Sequence, residues 1–193
     1  FVAWSEPGRT GQGGWKDFAR GMAATCLFLV GVSLVLSARQ KIDWGTWGIR
    51  LAQIVGAAAV ITIATWYAVP DAFIFFGILH AIALFTVVAT AFLFMPWWLS
   101  AAAAIAVFWI GQNVTVEVFS SPWLWWAGLS PQPPPSNDYG PMFPWLSATL
   151  TGVAVAKLAL GTNLPNHLQT IALPSAIKRP SMFIARHSLA TYL

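Results

Sequence analysis

Five apolar stretches, each near the thickness of a bilayer, constrain what this chain can become: residues 18–38, 47–69, 73–94, 97–111 and 142–160. A helix that crosses a hydrocarbon core needs about 20 mostly apolar residues. Lipid offers the peptide group no hydrogen-bond partner, so a segment immersed in it must satisfy its own N–H and C=O groups, as an α-helix does. The sequence therefore predicts an all-α, polytopic transmembrane helix bundle. About five full spans plus the start of another are expected, as part of a larger bundle. Residues 1–193 read as a single transmembrane domain, with no internal repeat.

Composition agrees. With 58% hydrophobic and 8% charged residues, there are too few charges to clothe a water-soluble globule, and membrane lipids are the expected surroundings. The formal net charge of +4 does not point to nucleic acid, because the basic residues gather beside the ends of apolar stretches, where they set topology. Arg39, Lys41 and Arg50 outnumber Asp43 after the first stretch and assign that loop to the cytoplasm. Asp71 follows the second stretch, and Glu117 and Asp138 occupy the connection 113–141, which has no basic residue; both connections are expected outside. Lys157, Lys178, Arg179 and Arg186 return the chain to the cytoplasm. Residues 1–17 then fall outside, and a helix before Phe1 is expected to have carried them across.

Small residues recur within the stretches, at Gly21, Gly56 and 101–104, where helix backbones can approach closely. Most tryptophans lie near expected interfaces, among them Trp44, Trp47, Trp66, Trp97 and Trp98, as in an aromatic belt. The outer connection is rich in Trp and Pro, from Ser121-Pro122-Trp123 to Pro133-Pro134-Pro135, and reads as a cap lying along the interface. The single cysteine, Cys26, excludes an internal disulfide and a cysteine-based zinc site, and no His spacing defines a metal site.

Ionisable residues at membrane depth are costly and mark candidate sites. His80 is the one histidine inside a stretch and can act as base, proton shuttle or acyl acceptor, or else simply hydrogen-bond a neighbouring helix. Asp71 and Asp138 fall on the same expected side and can orient an imidazole. Each also has a plainer reading, Asp71 as a helix cap and Asp138 as part of the turn Asn137-Asp138-Tyr139-Gly140. Arg20, Asn137 and Tyr139 would line an outer, substrate-binding mouth. Lys157, Arg186 and His187 lie on the expected cytoplasmic side, where cations can meet the phosphates of a donor. No Walker loop, dinucleotide fingerprint or nucleophile elbow is present.

Several blocks together resemble a known family. Leu27-Phe28-Leu29-Val30-Gly31-Val32-Ser33-Leu34, Pro70-Asp71-Ala72-Phe73-Ile74 leading into Phe76-Gly77-Ile78-Leu79-His80-Ala81, Asn137-Asp138-Tyr139 before Phe143-Pro144-Trp145, and Ala185-Arg186-His187-Ser188-Leu189 are similar to bacterial membrane proteins of the heparan-alpha-glucosaminide N-acetyltransferase type. The resemblance implies a multi-helix acyltransferase of the bacterial inner membrane. It implies acetyl-CoA or another acyl-CoA as cytoplasmic donor, and a sugar or glycan amine or hydroxyl on the far side as acceptor. It also implies a first helix before Phe1, bearing an Arg-Gly motif, and further helices after Leu193.

Two functions compete on the sequence. The leading one is acyl transfer with His80 as the acyl-handling or basic residue and Asp71 and Asp138 as partners. The other is a non-catalytic subunit of a larger membrane complex, or a homo-oligomer, that keeps the same scaffold; the Trp-rich outer segment and the incomplete motif set motivate it. A transporter is disfavoured by the lack of paired interrupted helices or an inverted repeat.

Overall fold

The computed structural model describes residues 13–38, 43–70, 73–132 and 139–162. Five helices run in order through them: α1 (Gly13–Ala38), α2 (Trp44–Ala68), α3 (Ile78–Phe92), α4 (Trp97–Asn113) and α5 (Met142–Gly161). Two short 3-10 turns, Glu117–Ser120 and Pro122–Ala127, lie between α4 and α5. No strand occurs among the described residues. The chain divides into two units, Phe1–Leu158 and Ala159–Leu193; the bundle belongs to the first, and of the second only the residues ending at Thr162 are described.

The all-helical expectation holds, but the span count is lower than expected. Among the described residues three helices are long and apolar enough to cross a membrane: Arg20–Ala38 of α1, α2 and α5. The stretch 73–94 keeps only 15 helical residues in α3, and α4 has 17. At 1.5 Å rise per residue these reach about 22 and 25 Å, short of the roughly 30 Å hydrocarbon core. The reason for the short α3 is local. Gly77 caps it in extended geometry, and Ile74 before it bonds to side chains of α2 rather than to its own helix. Pro96 forces the other boundary, since a residue before proline is pushed out of helical geometry. The α3 carbonyls of Thr90, Ala91 and Phe92 are closed by the Leu93, Phe94 and Met95 N–H groups in one tight turn.

Asp43 starts α2. Its carboxylate accepts from Gly45 N at 3.1 Å and from Thr46 Oγ1 at 2.6 Å, supplying the first turn with the acceptor it lacks. The Thr46 hydroxyl and the Thr46 and Gly45 amides hold the Asp43 carboxyl below the usual carboxylate range.

The core is contributed by α1, α3, α4 and α5, through Leu27, Ala81, Phe85, Ala104, Leu146 and Leu150. Helix α3 is central and packs directly on both α1 and α2. Helix α2 is peripheral; Ala58 is its buried residue, and Ile49, Val55, Val60 and Ile63 are exposed. Apolar side chains so exposed suit lipid, in which burial of apolar surface gives little driving force and close helix packing does more. Of the small residues singled out from the sequence, Ala58 and Ala104 are buried, while the glycines among them are not at a close approach. A Cβ on Gly21 or Gly56 would meet nothing within 4 Å, whereas one on Gly111 would stand 2.9 Å from the Pro144 side chain. Gly31 and Gly152 are tighter still.

Between α4 and α5 the Trp-rich segment is partly core. Ala127 and Leu129 are buried, Trp125 and Trp126 are half-buried, and Trp123 is left exposed. Gly128 closes the second 3-10 turn at φ 85°, and a Cβ there would lie 2.7 Å from the Phe143 carbonyl oxygen. Both the dihedral and the space require glycine.

Candidate functional site

The helices alternate in direction, so the bundle has two ends. At one end the last turns of α2 meet residues 73–80. Thr62 Oγ1 donates to Ile74 O at 2.9 Å, and Ile74 N donates to Thr65 Oγ1 at 3.1 Å. Both backbone polar groups of Ile74 are thus satisfied by two threonines one turn apart on α2. Non-helical backbone within an apolar region is tolerated only with such partners, and it recurs where a protein lines a cavity or site.

His80 follows in the first turn of α3, half-buried. Its Nε2 lies 3.3 Å from Thr62 Oγ1, and the Phe76 ring packs beside the imidazole with centroids 5.7 Å apart. The α4–α5 connection closes over the same place. Gly140 N donates to Phe76 O at 3.0 Å, and the Gly140 backbone sits directly on Gly77 and Ile78. Its neighbour Tyr139 donates its hydroxyl to Trp125 O at 2.5 Å, and the Trp125 ring stands edge-on to Phe75. Burial pushes the Tyr139 phenol up to about 12, so it is a donor, not a base, at any ordinary pH.

His80 and Tyr139 are therefore gathered at one end by contacts on either side of Gly77. Arg20 lies exposed in α1 and pairs with Asp17 at 3.5 Å. Asp71, Asn137, Asp138, Arg186 and His187 lie outside the described residues. Lys157 belongs to the opposite end. Its ammonium donates to Phe92 O at 2.6 Å, to Leu93 O at 3.0 Å and to Met95 O. All three N–H bonds are directed to the carbonyls that end α3, where a cation complements the helix dipole.

That opposite end also holds a cleft of about 640 Å³ between α1, α2 and α3. Asp43, Thr46, Trp47 and Arg50 line it at the start of α2, and its walls are largely apolar, with Leu29 and Leu34 from α1 and Ile54 from α2. Thr86 and Thr90 interrupt them on α3, but their hydroxyl hydrogens go to the Ile82 and Thr86 carbonyls, so they offer acceptors rather than donors. The Trp47 indole N–H is buried without an acceptor among the described residues. The Arg50 guanidinium gives the cleft a donor group suited to phosphate or carbonyl oxygen. His80 does not line the cleft; on α3 its lining runs Leu93, Thr90, Thr86, Ile82, one helix face, and stops two residues short of the histidine.

Sequence reasoning passed over Thr62, Thr65, Trp47 and Arg50 as site residues. The threonines carried a faint signal, two hydroxyls at i and i+3 in an otherwise apolar run. Trp47 carried none, since a belt tryptophan and a cleft-lining one are identical in sequence. Among the described residues no group of three or more His, Cys, Asp or Glu side chains could hold a metal ion.

Comparison with known proteins shows the family of the chain. The family model described as heparan-alpha-glucosaminide N-acetyltransferase, catalytic, matches residues 1–193. No curated protein and no solved structure matches the chain.

Proposed function

Because the chain belongs to the heparan-alpha-glucosaminide N-acetyltransferase catalytic family, we propose that it moves an acyl group from acyl-CoA on the cytoplasmic side of a membrane to an amine or hydroxyl of a sugar on the other. The observation that carries this reading is the cleft: from Leu93 to Ile82 it follows one face of α3 for about 16 Å, and His80 lies two residues beyond its end on a different face of the helix. A cleft with a cationic donor at one end and apolar walls beyond suits a phosphate-bearing carrier whose acyl end must travel inward. The excess of Arg39, Lys41 and Arg50 over Asp43 supports a cytoplasmic mouth.

In this reading Arg50 holds the donor. His80 takes the proton from the acceptor amine or hydroxyl as that group attacks the thioester carbonyl. The carbon–sulfur bond breaks, and the same proton passes to the departing thiolate. Tyr139, Asn137 and Arg20 line the acceptor side, and Asp71 or Asp138 stabilises the imidazolium. Arg186 and His187 lie on the donor side.

The test is transfer of labelled acetyl from acetyl-CoA to a glycan by the protein in lipid nanodiscs. His80→Ala should lower transfer by about 10² or more while coenzyme A binding persists, and Arg50→Ala should weaken that binding. Undiminished transfer by His80→Ala would remove the histidine from the mechanism. A stable stoichiometric complex that binds no coenzyme A would instead favour the scaffold-subunit reading.

A further inference from the structure

The hydroxyls that interrupt the apolar walls of the cleft differ in what they offer a ligand. Thr86 on α3 gives its hydrogen to the Ile82 carbonyl at 2.7 Å, and Ser37 near the mouth gives its own to Leu34 O at 3.0 Å. Each keeps a lone pair and has no hydrogen left to donate. Ser33 on α1 lines the same cleft, yet among the described residues its hydroxyl makes no hydrogen bond. A hydroxyl inside a helix can turn its hydrogen to a carbonyl one turn back, as Thr25 does with Gly21 O at 2.8 Å on the same helix. Ser33 does not, and keeps a hydrogen to give.

The two kinds of hydroxyl meet at one depth. Helices α1 and α3 run in the same direction, and Leu27 shares the core with Ala81 and Phe85, which sets the register between them. About 9 Å further along α1, Ser33 comes level with the turn of α3 that runs from Thr86 to Thr90. A free hydrogen on one wall and a free lone pair on the other are the complement of an amide, whose carbonyl oxygen accepts and whose N–H donates. We infer that Ser33 and Thr86 form a subsite for an amide in the arm of the donor, with Ser33 donating to the amide carbonyl and Thr86 Oγ1 accepting from the amide N–H.

The inference rests on the acyl-CoA reading and deepens it. Coenzyme A carries its sulfur at the end of a pantetheine arm, in which amides lie between the phosphates and the thiol. Arg50 stands on the α2 wall and makes no ion pair among the described residues. Its Cα–Cβ bond tilts toward the start of α2, so phosphate is held nearer the mouth than the two hydroxyls. The arm then passes between Ser33 and Thr86, and the sulfur continues toward Cys26, Ile54 and Ile82. A plain hydrocarbon tail in the same place would leave the Ser33 hydrogen unmet between apolar walls. The subsite therefore selects an amide-bearing carrier over a lipid chain.

Calorimetric binding to the protein in nanodiscs, corrected for empty nanodiscs, tests this with two probes. One is coenzyme A. The other keeps the same nucleotide head but replaces the pantetheine arm with an alkyl chain of equal length. Wild type should prefer coenzyme A by about tenfold or more. Ser33→Ala and Thr86→Val should each weaken coenzyme A by about fivefold to tenfold and leave the alkyl probe unchanged, which also shows that the cleft is intact. Thr25→Ala, outside the cleft, should change neither. Equal loss for both probes, or undiminished coenzyme A binding in Ser33→Ala and Thr86→Val, overturns the subsite and leaves the acyl-CoA reading standing. A wild type that binds no coenzyme A overturns both.

Discussion

Gly31 on α1 and Gly152 on α5 lie against each other's helix backbone: a Cβ on Gly31 would run into the Thr149 carbonyl oxygen, and one on Gly152 into that of Phe28. The reciprocity is a helix crossing at its closest, built where no side chain intervenes. Gly31→Ala or Gly152→Ala must force the helices apart, at a cost of about 1–3 kcal/mol. Gly21→Ala, placed in open space, should be neutral or gain up to about 1 kcal/mol from helix propensity. Thermal unfolding in nanodiscs distinguishes them; equal midpoints for all three variants would mean that the crossing is not what holds α1 to α5.

Lys157 ties α5 to the end of α3 through the Phe92, Leu93 and Met95 carbonyls. Lys157→Met leaves those oxygens without their charged donor and should cost about 1.5–3 kcal/mol, with faster amide hydrogen exchange over residues 92–97. Lys157→Arg, which keeps charge and donors, should recover part of the loss. Unchanged exchange in Lys157→Met would show that the turn holds itself.

Tyr139 gives a pH signature on the alkaline side. Burial raises its phenol from 10.0 to about 12, while in the unfolded chain it ionises at the ordinary value. The folded state therefore holds this proton after the unfolded state has released it, and stability falls as pH rises from about 10 to about 12. An ultraviolet phenolate titration should find one tyrosine lagging the others, and Tyr139→Phe should remove that component and the associated stability loss. The same variant gives up the bond to Trp125 O and should lower the folded midpoint at neutral pH. Loss in Tyr139→Phe of a component that titrates near the ordinary value, with none lagging in the wild type, would place this phenol in open solvent.

Much of the scaffold was legible. The stretches 18–38, 47–69 and 142–160 correspond to α1, α2 and α5 within a few residues, and Pro96 marks the α3–α4 boundary as a proline should. The stretch 73–94 misled, because residues 73–77 are as apolar as those that follow and hydropathy cannot tell an extended peptide from a helical one. The same limit hid the close crossing: Gly31 and Gly21 look alike in sequence, and only α5 distinguishes them.

For the site, His80 stood out because an imidazole among apolar residues is costly to bury. Its setting did not stand out. Thr62 precedes it by 18 positions, and nothing local reports that their side chains meet. In the sequence Lys157 is a cytoplasmic-side cation that can meet the phosphates of a donor; its partners at the end of α3 are carbonyls, and a backbone oxygen has no signature in a string of side chains.

What the sequence determined by itself was the solvent: so many apolar residues in lengths near a bilayer's thickness leave helices in lipid as the one economical way to satisfy the backbone. What the tertiary structure alone decided was where those helices stop and which polar groups meet. A peptide excluded from its own helix at Ile74 must find partners elsewhere. One of the two threonines that serve it from α2, Thr62, also meets the histidine six residues on.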